Sequence, residues 1–184
     1  MKRIFIALKI DPEVPLLKII SSLKSDLIIE KIKWTSIDNI HITLAFPGNT
    51  EEKDIEIIKA MLTEKCEGFG KFELIIKGAG VFKNLSDPRV IWVGIELSEK
   101  LFQLNNVIIK GLRDAGSNIE YRPFKPHLTI GRIKYINNKT ALKTYTDKYQ
   151  NTEIQRFQVK EVILYESILK QTGPVYNPIC NFKL

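Results

Sequence analysis

Two short stretches hold every histidine of the chain. One reads Asn39-Ile40-His41-Ile42-Thr43-Leu44-Ala45-Phe46-Pro47, the other Pro126-His127-Leu128-Thr129-Ile130-Gly131-Arg132. Each carries His-x-Thr followed by an apolar residue. Side chains two apart on a strand share a face. His41 and Thr43 would therefore point one way, and Ile40, Ile42, Leu44 and Phe46 the other. His127 and Thr129 share a face in the same manner, with Leu128 and Ile130 turned away. Histidine changes charge near neutrality and serves as general acid or general base. One His-x-Thr is a weak signal, since threonine is ordinary in strands and a lone histidine is usually structural. Two in matching context, with no histidine spent elsewhere, point to two imidazoles at work on one group.

Strands with a core behind them must present these faces. Residues 3–10 alternate and are rich in Ile and Phe, which predicts a strand. Asp11-Pro12-Glu13 reads as a helix start with Asp11 as N-cap, and Leu16, Ile19, Ile20, Leu23 and Leu27 follow at helical spacing. A short strand is expected at 33–35. The first His-x-Thr strand comes next, and Pro47-Gly48 should stop it. Asn49 or Thr50 is expected to cap a second helix, with Glu51 and Glu52 at its positive end and Ile55, Ile58 and Leu62 as its buried stripe. Strands are expected at 72–76 and 89–97, with Gly78, Gly80 and residues 84–88 forming a loop between them. Ser98 starts a third helix with Leu101, Leu104, Ile108 and Leu112 on one side, and Gly116 ends it. After Pro123 comes the second His-x-Thr strand, then a weaker helix at 140–149 and one or two strands over 153–169. The tail beyond Gly173-Pro174 reads as irregular, ending in a short strand near Phe182. Strands and helices mixed in this order imply an α+β fold with antiparallel sheets. The two motifs lie nearly half the chain apart and each precedes a helix, which hints at a duplicated lobe.

The 184 residues suit one domain or two closely packed lobes. An apolar share of 44% is that of a globular protein with a core. A net charge of +7 and a pI near 9.3 favour polyanionic partners such as nucleic acid. The abundance of Lys, Glu and Ile equally fits a hot habitat. Cys66 and Cys180 are isolated, with no zinc-ligand spacing, so no metal site and no disulfide scaffold are expected, and a reducing cytoplasm is the default. The apolar run at residues 4–8 is too short for a signal peptide, and nothing reaches membrane-spanning length.

With both motifs placed, the chain resembles the 2H phosphoesterases, and among them the RNA 2′,3′-cyclic phosphodiesterases, historically called 2′-5′ RNA ligases. The likeness runs nearly end to end. It takes in Arg3-Ile4-Phe5-Ile6-Ala7-Leu8, both motifs, Val81-Phe82, Pro88-Arg89-Val90-Ile91-Trp92-Val93-Gly94, Leu164-Tyr165-x-Ser167-x-Leu169 and Gly173-x-x-Tyr176. Pro47-Gly48 departs from the Leu-Gly common in that family. The resemblance implies two pseudo-symmetric lobes, each an antiparallel β-sheet with helices on its outer face, and an active-site cleft between them, with residues 1–184 forming a single bilobal domain. It implies hydrolysis of 2′,3′-cyclic phosphate ends to 2′-phosphomonoesters without metal or other cofactor, reversible as 2′-5′ ligation. His41 would be proton donor to the leaving oxygen and His127 proton acceptor from water. Thr43 and Thr129 would hydrogen-bond the nonbridging oxygens, where charge is held in the transition state. Arg132 is similar to a family arginine that faces the phosphate; strict alternation from His127 sets it on the wrong face, so a bulge or the strand's end is required. Phe46 and Tyr121 are able to stack on a base, although alternation assigns Phe46 to the core. The expected partners are RNA with cyclic phosphate ends or cyclic nucleotides, bound by a monomer away from any membrane. Two other readings remain: a phosphodiesterase for small cyclic phosphates such as ADP-ribose 1″,2″-cyclic phosphate, and a non-catalytic RNA- or nucleotide-binding module.

Overall fold

The computed structural model describes residues 1–119, 123–171 and 173–184. In chain order the elements are β1 (Lys2–Lys9), α1 (Val14–Asp26), β2 (Lys31–Trp34), a short 3-10 turn (Ile37–Asn39), β3 (His41–Thr50), α2 (Glu52–Cys66), β4 (Phe72–Phe82), β5 (Val90–Ile95), α3 (Glu99–Asp114), β6 (His127–Tyr135), α4 (Lys139–Tyr149), β7 (Glu153–Val159), β8 (Glu161–Lys170) and β9 (Gly173–Lys183).

The strands form a nine-stranded antiparallel sheet in the order β7-β4-β5-β6-β3-β1-β8-β9, with β2 added against β6. Its two halves meet between β3 and β6 through the single pair Ile42 and Leu128. One half is β3, β1, β8 and β9; the other is β7, β4, β5, β6 and β2. Helices α2 and α3 cover the first half, and α1 and α4 the second. Each helix lays an apolar stripe on the sheet, as the 3.6-residue spacing predicts: Leu16, Ile19, Ile20 and Leu23 on α1, and Leu101, Leu104, Ile108 and Leu112 on α3. A continuous core runs under both halves, and Ile42, Leu44, Leu128 and Ile130 belong to it. A smaller apolar cluster of Phe5, Ala7, Ile163 and Tyr165 lies apart from it. Strand β1 therefore buries both faces, Ile4, Ile6 and Leu8 in the main core and Phe5 and Ala7 in the small one.

Several expectations shift for local reasons. Helix α1 begins at Val14, not behind Asp11. The buried Gln155 of β7 accepts from the Glu13 amide at 2.9 Å and donates to the Asp11 carbonyl at 3.0 Å, which holds that loop extended. Neither Asn49 nor Thr50 caps α2; Thr50 stays in β3 opposite Lys2, and its hydroxyl donates to the Gly48 carbonyl, so Glu51 takes the N-cap position. Pro47 does not stop β3, because the register with β1 slips between Ile4 and Ile6 and leaves Pro47 without a ladder partner. Gly78 and Gly80 are inside β4, not a loop. Gly78 has φ +81° at a bulge, and a Cβ on Gly80 would come within 2.3 Å of the Trp92 ring that crosses it. The tail is an eleven-residue strand, β9, paired along β8; being at the sheet edge, it tolerates Pro174 and Pro178. The Ser98 cap, which accepts from the Leu101 amide, and the stop before Gly116 are as the sequence predicts.

Candidate active site

Strands β3 and β6 present the two motifs on either side of the seam. The pair that joins the halves, Ile42 with Leu128, consists of the middle residues of the two His-x-Thr strings. Both side chains go down into the core with no exposure. Their neighbours must point up, and the antiparallel register sets His41 across from Thr129 and Thr43 across from His127 as the strands splay apart. The four groups thus alternate around the seam at the floor of one cleft of about 660 Å³, which His41, Thr43, His127, Thr129 and Arg132 all line.

Each imidazole is held the same way. His41 donates from Nδ1 to the Asn39 carbonyl at 2.6 Å, and His127 from Nδ1 to the Lys125 carbonyl at 2.7 Å. A carbonyl only accepts, so Nδ1 carries hydrogen in both rings. Nε2 is left as the reactive nitrogen, a lone pair when the ring is neutral and a donor when it is charged. The Asn39 side chain donates to the Pro174 carbonyl at 3.0 Å and so ties the His41 support to β9. Aromatic rings flank both histidines: Phe5 and Tyr176 lie 5.1 and 5.3 Å from His41, and Phe82 lies 4.9 Å from His127. Burial holds both imidazoles below the usual histidine range, because the charged ring loses hydration. The carbonyl bonds oppose that shift. The positive charge of Arg132 adds to it in both rings, and that of His127 adds to it in His41.

Two matching bulges decide what else reaches the cleft. In β3 the pairing steps from Ile6–Ala45 to Ala7–Thr43, so Leu44 is the extra residue. In β6 it steps from Ile91–Gly131 to Trp92–Thr129, so Ile130 is extra. Leu44 and Ala45 are both buried, as are Ile130 and Gly131. Alternation restarts one residue late, and the residue five places after each histidine returns to the histidine face. In β6 that residue is Arg132, and the bulge is the one its role requires. In β3 it is Phe46, which is 47% exposed in the cleft with the Arg3 guanidinium 5.0 Å from its ring, and so is not a core residue. Each bulge frees a carbonyl, and each carbonyl finds a donor: Asn105 of α3, itself buried, bonds Leu44 O at 2.7 Å, and the Thr35 amide bonds Ile130 O at 2.9 Å.

Sequence reasoning overlooked Phe5, Tyr176 and Asn39, whose proximity to His41 is tertiary. Asn105 left a readable trace as a lone polar residue inside the apolar stripe of α3. Tyr121 lies outside the described residues. Among the described residues no three of His, Cys, Asp and Glu gather so as to hold a metal ion, and no helix is long and apolar enough to cross a membrane.

The arrangement can take a proton at one Nε2, give one at the other, and hold an anion between them. Comparison with known proteins agrees with that chemistry. The model of the 2′-5′ RNA ligase superfamily matches residues 38–170. The RNA 2′,3′-cyclic phosphodiesterase of Thermotoga maritima is 33% identical over 98% of this chain and 96% of its own. That of Archaeoglobus fulgidus is 31% identical over 98% and 99%. Among solved structures, TT0787 of Thermus thermophilus shares the fold with a TM-score of 0.83 at 24% identity, covering 99% of this chain and 97% of its own. E. coli LigT complexed with 3′-AMP does so with a TM-score of 0.77 at 22% identity, covering 100% and 98%.

Proposed function

This chain belongs to the 2′-5′ RNA ligase superfamily, and on that premise we propose that it hydrolyses the 2′,3′-cyclic phosphate ends of RNA to 2′-phosphomonoesters, with residues 1–184 acting as one bilobal unit. The observation that carries this reading is the alternation of two imidazoles and two threonines around the seam, each ring with Nδ1 tied to a backbone carbonyl.

Water attacks phosphorus in line with the ribose 3′-oxygen. As the new O–P bond forms, its proton passes to Nε2 of neutral His127. As the P–O3′ bond breaks, protonated His41 gives its Nε2 proton to the departing oxygen. The hydroxyls of Thr43 and Thr129 and the Arg132 guanidinium hold the nonbridging oxygens. His41 is placed on the ribose side because Phe46 and Arg3, which suit a nucleoside, stand on that half of the cleft.

The test is turnover of a cyclic-ended oligonucleotide, with the product identified as 2′- or 3′-phosphate. Replacing either histidine by alanine should cost about 10²–10⁴-fold, the usual worth of general acid–base catalysis. Replacing the 3′-bridging oxygen by sulfur gives a leaving group that scarcely needs an acid, so it should restore His41→Ala and not His127→Ala. Rescue of the other variant would reverse the roles. Turnover of ADP-ribose 1″,2″-cyclic phosphate with none of cyclic-ended RNA would replace this reading by the small-molecule one.

A further inference from the structure

The cleft has a second aromatic wall, on the other side of the seam from Phe46. Trp34 stands at the end of β2, which is paired to β6, the strand of His127. The indole lies over Gly131, where a Cβ would come within 3.0 Å of the ring; the missing side chain lets the indole sit close to the strand. Half-exposed Trp34 lines the cleft together with Lys33, Leu169 and Pro174. Lys33 forms no ion pair among the described residues, so its ammonium stands there uncompensated. Phe46 with Arg3 makes a comparable wall on the His41 half. An aromatic face with a cation beside it is the usual stacking platform for a base in a nucleic-acid strand.

In-line displacement puts the entering and departing oxygens on opposite sides of phosphorus. With the departing ribose oxygen beside His41, its nucleoside falls to the Phe46 wall. Hydrolysis brings only a water to the His127 side, and a water needs neither an indole nor an ammonium. We propose that Trp34 and Lys33 form a subsite for a second nucleoside, one bearing a 5′-hydroxyl, so that the cleft joins or parts two nucleosides through a 2′-5′ phosphodiester. The subsite rests on the cyclic-phosphodiesterase reading. In the joining direction the 5′-oxygen bonds to phosphorus and its proton passes to His127, while the P–O3′ bond breaks and His41 protonates O3′. In the parting direction the 3′-hydroxyl attacks and gives its proton to His41, and the 5′-oxygen leaves with a proton from His127. No other reactant is consumed either way. The indole stacks the base of the second nucleoside, and Lys33 meets the next phosphate of its strand.

The experiment compares two substrates on one preparation of the full chain: adenylyl-(2′→5′)-adenosine, which fills both walls, and adenosine 2′,3′-cyclic phosphate, which needs one. The quantity read is the ratio of their kcat/KM values, from which any misfolded fraction cancels. In Trp34→Ala the ratio should fall about 10–100-fold, the worth of one base stack. Trp34→Phe, which keeps a stacking face, should retain the ratio, and Phe46→Ala should lower both reactions together. An unchanged ratio in Trp34→Ala overturns the subsite. So does a wild-type protein that opens the cyclic phosphate yet never cleaves the dinucleotide. A wild-type protein that opens no cyclic phosphate at all sinks the phosphodiesterase reading, and the subsite with it.

Discussion

Burial and Arg132 both push His41 and His127 to lose their protons at lower pH than a free histidine. The sequence places the working state, one ring neutral and one protonated, near neutrality. The structure moves its maximum in the free enzyme to the acid side of about 6.5. The charge of His127 also acts on His41, which separates the two macroscopic constants and widens the window in which the pair holds one proton. The pH profile of kcat/KM should therefore be a bell centred below 6.5. In Arg132→Gln the imidazolium rings lose a repelling neighbour, so both limbs should move to higher pH while KM rises. Limbs that stay put would show that the guanidinium does not face the histidines. His41, Thr43, His127 and Thr129 were legible in the sequence because imidazole is scarce in this chain and a period of two assigns faces. Phe46 was misread by that same rule, since strict alternation has no place for the extra residue at Leu44.

Bulges belong to the scale of elements, and here they do the aiming. A bulge inserts one residue, bends the strand and returns the following side chains to the other face. The β3 bulge brings Phe46 to the cleft and the β6 bulge brings Arg132. Their freed carbonyls are satisfied differently, one by the Asn105 side chain and one by the Thr35 amide. Asn105→Leu keeps the volume and leaves the buried Leu44 carbonyl without its donor, at a cost of about 1–3 kcal/mol. At this chain length that is a drop in Tm of roughly 2–12 °C. Thr43 and Phe46 flank the bulge, so KM for RNA should also rise, whereas Asn105→Gln should recover part of both losses. An unchanged Tm in Asn105→Leu would mean that the carbonyl finds another partner. Helix stripes, the Ser98 cap and most strands could be read from periodicity and capping chemistry, which are local. The late start of α1 and the length of β9 could not, because Gln155 and the whole of β8 act on them from distant parts of the chain.

Taken whole, the molecule divides its labour between the two faces of the sheet. One face carries the main core under both halves, and the other holds the cleft at the seam. Among the cleft-lining cations, Arg3, Lys33 and Arg132 form no ion pair among the described residues, while many surface lysines and arginines do. The net charge of +7 pointed to a polyanion, but charge alone could not say where; three uncompensated cations around one cleft do. Cations that meet phosphates displace condensed counterions, and for a single strand log K falls with log salt at about −0.7 per phosphate neutralised. Three such contacts predict a slope near −2 for a cyclic-ended oligonucleotide, and a much shallower one for a cyclic mononucleotide, which brings one phosphate. Lys33→Gln should reduce the oligonucleotide slope by about 0.7 and leave the mononucleotide slope alone. Lys18→Gln, on the exposed side of α1, should change neither. Binding titrations between 50 and 200 mM salt, roughly the range over which this effect is read, decide the matter. Equal slopes for the two ligands would mean that the cleft grips only the terminal phosphate and that the chain's basic charge serves something other than RNA.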